Sequence, residues 1–309
     1  MGGGRWSPDD WSRYTTSRSY DSKTTSGASG IYAASGINKD LDPKGITVRE
    51  SRDSVDNPAS TAIIIGLDVT GSMGMIADVI ARNGLNTLLT EIYARKPVTD
   101  PHVMIMGIGD VECDRAPLQV TQFEADIRLA EQLEKIYLEH GGGGNSYESY
   151  ALPWYFAAMH TSIDCFEKRS KKGYLFTIGD ECPTPILSKA AIIEVLGSGP
   201  QLDLTGSELL TMASRQYKIF HIMIEEGNYM GSDTSYVVDT WTNLLGQRAI
   251  RLKDHTKLAE VIVSTIQICE GADKSKIVSS WDGSTGLVIA DAINALVAGN
   301  KAMDSVVML

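Results

Sequence analysis

Hydrophobic residues between positions 61 and 270 follow two alternating patterns. Short, continuously apolar runs occur at 61–67, 102–108, 173–178 and 217–224. Such runs are typical of strands that are buried on both faces of a sheet. Between them, apolar residues recur every three or four positions, which predicts helices. The predicted helices are 72–94, 124–139, 149–163, 207–215, 234–245 and 256–270, and two further short strands are predicted at 118–123 and 249–252.

Alternation of buried strands with helices predicts the fold class. Strands of this kind form a parallel sheet whose two faces are covered by helices. We therefore expect an α/β fold with a doubly wound, mostly parallel six-stranded sheet. Residues 61–271 would form this domain.

The two ends of the chain differ from this domain in composition. Residues 1–60 are rich in Ser, Thr, Gly, Asp and Tyr and have few aliphatic residues, so they cannot bury enough apolar surface to fold alone. They are predicted to be a polar arm, either disordered or ordered by a neighbouring surface. Residues 272–309 are predicted to be a helical extension, with apolar residues at helical spacing in 286–297. The candidate anchors of the arm are Trp6, Trp11, Tyr14, Tyr20 and Tyr32.

The charge distribution bears on the partners. The net charge is −11, and residues 1–60 contain eight basic and eight acidic residues, so the excess negative charge lies in residues 61–309. Nucleic-acid binding depends on Lys and Arg that neutralise phosphates, so we expect no nucleic-acid partner. No stretch approaches the roughly 18 apolar residues of a membrane span, and no membrane partner is expected.

Four cysteines, Cys113, Cys165, Cys182 and Cys269, lack a C-x-x-C pair or a short-spaced framework. This pattern favours free thiols in a reducing compartment. The first residues contain no apolar segment typical of a secretory signal. The expected location is the cytoplasm.

Three oxygen-bearing side chains follow the first apolar run. Asp68, Thr70 and Ser72 are spaced by two, so in an extended chain they point to the same side. Asp110 and Asp180 follow two other predicted strands. Because the carboxyl ends of parallel strands meet at one edge of a sheet, these side chains are expected to lie together. Carboxylate and hydroxyl oxygens are ligands of hard divalent cations, so a metal site is predicted.

Three segments resemble the metal-site loops of von Willebrand factor A domains, over roughly residues 60–270. DVTGS (68–72) resembles the D-x-[ST]-x-S signature. GGGGNSYESYAL (141–152) is similar to the second loop of an intracellular branch, GGGDxPE, with Asn145 and Glu148 at its Asp and Glu. TIGDECPTP (177–185) resembles the third loop, which contributes Asp180.

The resemblance implies a metal-dependent protein-binding function. It implies that Thr70 and Ser72 bind Mg²⁺, or Mn²⁺ or Ca²⁺, through hydroxyls, while Asp68 and Asp180 supply charge. Asn145 would be a neutral ligand that leaves the ion more attractive to an acidic side chain of a partner. The implied role is a non-catalytic adaptor in an intracellular complex. The residues expected to support the site or contact the partner are Asp110, Glu148 and Tyr147.

Other interpretations of the same residues remain open at this stage. Thr70 and Ser72 are also typical helix caps, and Glu148 is also typical of a helix N-terminus. The arm and the C-terminal helix would instead hold a larger assembly if the metal site were structural or vestigial. A metal-dependent hydrolase is less favoured, because it would need a general base near the metal. His140 is the only histidine beside one of the metal-site loops. No Lys follows glycines 141–144 as in a P-loop, and no G-x-S-x-G motif occurs.

Overall fold

A computed structural model describes residues 4–17, 34–80, 84–139, 145–231 and 233–296. Its strands are β1 Arg49–Ser51, β2 Thr61–Asp68, β3 Pro101–Ile108, β4 Leu118–Val120, β5 Tyr147–Glu148, β6 Thr161–Ile163, β7 Gly173–Gly179, β8 Cys182–Pro183, β9 Ile186–Leu187, β10 Leu204–Thr205, β11 Tyr217–Ile224 and β12 Ala249–Leu252. Its helices are α1 Pro8–Ser17, α2 Met75–Val79, α3 Leu85–Arg95, α4 Arg128–Leu133, α5 Ala151–Met159, α6 Asp164–Glu167, α7 Lys189–Leu196, α8 Gly206–Ala213, α9 Thr234–Leu245, α10 Leu258–Cys269, α11 Lys274–Ser279 and α12 Gly283–Ala292. Short 3₁₀ turns are Pro43–Gly45, Gly246–Arg248 and His255–Lys257.

The central sheet has six strands in the order β12-β11-β7-β2-β3-β4. All neighbouring strands are parallel except β4, which runs antiparallel to β3. The chain passes from β2 to β3 on one side and later returns to β7 on the other side of β2. The carboxyl ends of β2 and β7 therefore form the point where strand order reverses, which is where α/β sheets bind ligands. The predicted α/β fold with a mostly parallel six-stranded sheet is confirmed.

Alternate residues of the buried strands face two separate cores. Ile63, Ile65 and Leu67 of β2 pack with apolar residues of α3, α10 and α12 on one face. Ala62 and Ile64 of the same strand pack with residues of α5, α8 and α9 on the other face. A strand with apolar residues at every position therefore belongs in the middle of a three-layer structure.

Some predicted helices differ from the structure. The helix predicted at 124–139 is limited to α4, because the side chain of Gln119 holds Tyr137 in an extended segment: its Nε2 donates to Tyr137 O and its Oε1 accepts from Tyr137 N, both at 2.8 Å. The helix predicted at 149–163 ends at Met159, and Thr161–Ile163 forms a strand that pairs with β1. Pairing with a distant segment left no signal in the local sequence.

The structure also contains a helix that the sequence pattern did not predict. Helix α7 lies between the predicted strand 173–178 and the predicted helix 207–215, where the apolar pattern indicates no helix. The hydroxyl of Ser188 accepts from Ala191 N at 3.1 Å and caps this helix. Within the predicted helix 72–94 the structure describes α2 and α3, and residues 81–83 lie outside the described residues.

The described part of residues 1–60 packs against the domain that follows it. The division of the chain at residues 60 and 271 stays a prediction. Trp6 is buried in the core of its own chain, and β1 pairs in parallel with β6. The C-terminal helix α12 contributes Ile289 to the same core. Of the other candidate anchors, Trp11 packs against the same core, whereas Tyr20 and Tyr32 lie outside the described residues.

Two further observations concern the cysteines and membrane spans. All four cysteines are free thiols, and Cys113 is the exposed one. Within the described residues, the helices are too short or too polar to cross a bilayer.

An ion-pair network fastens the segment after β1 to the domain. Arg169 Nη1 lies 2.7 Å from Asp53 Oδ2, and Arg169 Nη2 donates to Ser60 O at 2.7 Å. Arg52 Nη1 lies 2.8 Å from Asp164 Oδ1. The hydrogen bond from Arg169, together with those from Ser60, holds the pKa of Asp53 well below its usual value. The ionised form of Asp53 therefore stabilises the folded state.

We expect Asp53→Asn to lower the free energy of unfolding by about 1 kcal/mol at pH 7. Because the pKa of Asp53 is lowered by folding, its contribution is complete above the unfolded-state pKa of about 3.9 and is lost as pH falls below it. Urea unfolding followed by circular dichroism at pH 7, 5 and 3 measures this. The exposed Asp56→Asn variant is the matched control. An Asp53→Asn effect that stays constant down to pH 3 would contradict the assignment.

Candidate metal centre

Asp68 ends the central strand β2 and is completely buried. Its Oδ1 accepts two hydrogen bonds from Thr70, one from the backbone N–H at 2.9 Å and one from the hydroxyl at 2.6 Å. Its Oδ2 accepts from the hydroxyl of Tyr150 at 2.6 Å. Three donors therefore compensate in part for removing this carboxylate from water.

Ser72 connects the first loop to the third. Its hydroxyl donates to Asp180 Oδ1 at 2.7 Å and lies 3.2 Å from the hydroxyl of Thr70. Asp180 directly follows β7, the strand beside β2. The structure thus joins Asp68, Thr70, Ser72 and Asp180 in one continuous hydrogen-bonded group. Ser72 itself is only half-buried, so this group reaches the surface.

Hydroxyl orientation distinguishes this group from a helix cap. Helix α2 begins after Gly74 and receives no hydrogen bond from a capping side chain. The hydroxyls of Thr70 and Ser72 donate to Asp68 and Asp180 instead. Helix capping therefore does not explain these two residues.

The loop after β11 contacts the loop that contains Ser72 and the loop that contains Asp180. Tyr229 N donates to Asp180 Oδ2 at 2.8 Å, and Asn228 N donates to Ser72 O at 3.3 Å. A Cβ at Gly227 would overlap the side chain of Asp180. Glycine at this position therefore permits the close approach that brings these backbone donors to the site.

Burial and mutual repulsion raise the pKa values of the clustered carboxyl groups. The pKa of Asp68 rises to about 7, first because the side chain is buried and second because Asp180 is close. Burial, followed by the charges of Asp68 and Asp180, raises the pKa of Glu181 to about 7. Burial also raises the pKa of Asp180. A bound cation would favour the ionised form of each group.

Asn145 and Asp110 form a second group beside the first. Asn145 Nδ2 donates to Asp110 Oδ2 at 2.5 Å, and Asn145 Oδ1 accepts from Tyr147 N at 3.3 Å. Asp110 Oδ1 also accepts from Ser149 Oγ at 3.4 Å and from Glu112 N at 3.2 Å. In this arrangement Asn145 contacts Asp110, a residue expected to have a supporting role. Glycines 141–144 and His140 lie outside the described residues.

Glu148 and Tyr147 occupy different positions relative to the surface. Glu148 is 5% exposed, and its Oε2 has no hydrogen-bond partner. Burial, followed by the charge of Asp68, raises its pKa to about 11. Tyr147 is half-buried, and its hydroxyl lies 3.5 Å from that of the exposed Tyr236. Glu148 therefore belongs to the interior of the site and Tyr147 to its rim.

The donor atoms present fit a hard divalent cation. The charges that act on the pKa values of Asp68, Glu148 and Glu181 are those of other carboxylates. Within the described residues, no three His, Cys, Asp or Glu side chains are placed to share an ion. The fit therefore depends on the hydroxyls of Thr70 and Ser72 as much as on the carboxylates. Neutral and charged oxygens in this mixture suit Mg²⁺, which keeps several waters.

Two residues of the site were not assigned to it from the sequence. The buried hydroxyl of Tyr150 donates to Asp68 and accepts from Glu181 N at 3.3 Å. Glu181 is 8% exposed and directly follows Asp180. The sequence position of Glu181 next to the predicted ligand Asp180 could have indicated that Glu181 belongs to the site. Nothing in the local sequence pattern connects Tyr150 to Asp68.

Comparison with known proteins gives a likeness of fold. No family model and no curated protein matches the chain. Von Willebrand factor type A from Catenulispora acidiphila is 14% identical, with a TM-score of 0.40, over 70% of this chain and 44% of the other. Two crystal structures of the pilus adhesin SpaC from Lactobacillus rhamnosus GG are 10% and 11% identical, with TM-scores of 0.42 and 0.45, over 72% and 73% of this chain.

These matches extend over less than half of the other proteins. The chain covers 44% of the Catenulispora protein and 31% and 32% of SpaC in its two structures. With TM-scores below 0.5, they give no information about what this chain binds. The function therefore has to be inferred from the residues of the site.

We expect Tyr150→Phe to lower the free energy of unfolding by about 2 kcal/mol, since a hydrogen bond to a buried charged group is lost. Denaturant unfolding at pH 8 measures this difference. Tyr155→Phe is the matched control, because Tyr155 lies on the same helix, α5, and is also buried. Equal effects of the two substitutions would show that the contact with Asp68 contributes nothing specific.

Proposed function

We propose that this chain is a non-catalytic protein-binding domain that uses a divalent cation to engage an acidic side chain of a partner protein. One observation supports the proposal above the others. Asp68, Thr70, Ser72 and Asp180 are joined by direct hydrogen bonds at the point where the strand order of the sheet reverses. The resemblance of DVTGS to a known metal-site signature agrees with this arrangement.

Each residue has a defined part in the proposed site. Asp68 and Asp180 supply negative charge, and Thr70 and Ser72 supply hydroxyl oxygens. Asn145 adds a neutral amide, and its contact with Asp110 holds it beside the site. When bound, Mg²⁺, Mn²⁺ or Ca²⁺ neutralises the clustered carboxylates and attracts a further carboxylate from outside.

The surroundings of the site suit a protein partner. Ser72 is half-buried, and the hydroxyls of Tyr147 and Tyr236 lie near each other at the rim. Aromatic residues beside a charged centre are frequent anchors in protein interfaces. Because the chain is acidic overall, a cation also reduces the repulsion of an acidic partner. We propose an adaptor role in a cytoplasmic complex.

We expect the full chain to bind Mg²⁺ and Mn²⁺ in calorimetry. Asp68→Ala and Asp180→Ala should each weaken binding by more than about tenfold, since removing a ligand should cost at least as much as removing a group that orients one. Asp239→Ala, an exposed residue on α9, is the matched control. Absence of binding at millimolar metal by the folded protein would contradict the proposal and favour assembly through residues 1–60 and the C-terminal helix.

A second experiment addresses the position for the acidic partner. We expect ¹⁷O-labelled acetate to broaden the electron paramagnetic resonance lines of protein-bound Mn²⁺, because a carboxylate oxygen would bind the ion directly. Unlabelled acetate at the same concentration is the control. Metal binding without broadening would leave the cation site in place but contradict recognition of a carboxylate.

A further inference from the structure

A cleft lies at the edge of the sheet opposite to Asp68. It has a volume of about 480 Å³ and lies between the N-terminal segment and the residues that lead into β3. Asn57 Nδ2 donates to Gly4 O at 3.2 Å and helps to hold the N-terminal segment in place. Cavities of this size accommodate small organic molecules. The lining of the cleft includes Arg5, Trp6, Tyr93, Lys96, Asp100 and Lys171.

The cleft contains more positive than negative charge. Its basic residues are Arg5, Lys96 and Lys171, and its acidic residues are Asp100 and Glu270. Both acidic groups are already engaged: Glu270 Oε2 lies 2.9 Å from Lys171 Nζ, and Asp100 Oδ2 accepts from Ala59 N at 2.9 Å.

Arg5 and Lys96 are left as the cations that a ligand would meet. Both side chains belong to exposed residues, and no described carboxylate lies within 4 Å of either one. Within a chain of net charge −11, two such cations beside one cavity favour an anionic ligand.

The wall of the cleft is aromatic and firmly held. Trp6 is 5% exposed, and its Nε1 is buried without a hydrogen-bond partner. The hydroxyl of Tyr93 donates to Ala125 O at 2.7 Å, which fixes the orientation of that ring. Pro97 and Val98 also line the cleft and are largely buried. A flat apolar group would therefore find a preformed surface next to the two cations.

The backbone at the rim has an uncommon conformation. Lys96 and Asp100 have φ angles of +48° and +37°, a region that residues other than glycine seldom adopt. Such conformations persist where the surrounding structure enforces them. The short segment between them, which includes Pro97, therefore keeps the rim of the cleft in one shape.

We propose that this cleft binds a small organic phosphate of mononucleotide size. Arg5 and Lys96 pair with the phosphate group, since guanidinium and ammonium groups form charge-assisted hydrogen bonds with phosphate oxygens. The flat body of the ligand lies against the wall formed by Trp6 and Tyr93. The site is separate from the metal centre, because it lies at the amino ends of the strands rather than at their carboxyl ends.

The test uses the full chain with a chelator present, so that no metal contributes. Adenosine 5′-monophosphate, inorganic phosphate and adenosine are titrated separately by calorimetry. The indole N–H signal of Trp6 is followed in ¹⁵N–¹H spectra and is assigned by its loss in Trp6→Phe. We expect the monophosphate to bind, to shift the Trp6 signal, and to bind more tightly than either phosphate or adenosine.

The variant Arg5→Gln/Lys96→Gln should weaken monophosphate binding by about tenfold or more, because two charged contacts are lost. Its matched control is Lys39→Gln/Arg215→Gln, which removes two exposed cations away from the cleft. The proposal is overturned by absence of monophosphate binding at millimolar concentration, by equal binding of adenosine, or by unchanged affinity in the first variant. Circular dichroism confirms that both variants are folded.

Discussion

A carboxylate buried at the end of a central strand has to be compensated by hydrogen bonds, by a proton or by a cation, and Asp68 imposes this requirement on the present structure. Thr70 and Tyr150 supply hydrogen bonds. They leave a group whose pKa is still raised to about 7, because burial and Asp180 both oppose ionisation. The carboxyl groups of Asp68 and Asp180 lie close together, and their mutual repulsion is relieved either by a proton on one of them or by a cation.

The sheet places two chemically different regions at its opposite edges. At the carboxyl ends of the strands, carboxylates and hydroxyls converge between β2 and β7. At the amino ends, Arg5 and Lys96 lie beside an aromatic cleft. The proposed cation site and the proposed phosphate site therefore do not compete for the same surface. Each region depends on a segment distant in sequence: the loop after β11 in one case and the N-terminal segment in the other.

Much of the candidate site was predictable because its proposed ligands follow buried strands. An apolar run that ends in Asp-x-Thr-x-Ser indicated both the strand and the direction of its side chains, and Asp180 followed a second such run. The contact between Asn145 and Asp110 and the hydroxyl of Tyr150 on Asp68 were not predictable. These contacts depend on how α5 and the loops pack over the sheet. A local sequence pattern contains no information about the distance between residues that are far apart in the chain.

The sequence by itself determined the α/β class, because continuous apolar strands require cover on both faces and helical spacing supplies it. It also determined which oxygen-bearing residues lie at the ends of the strands. Tertiary structure decided where residues 49–51 pair, where the helix after residue 124 ends, and which carboxylates repel one another. The physical reason is that periodicity records burial along one element, whereas pairing, hydrogen bonding across the fold and pKa values depend on neighbours that are distant in the chain.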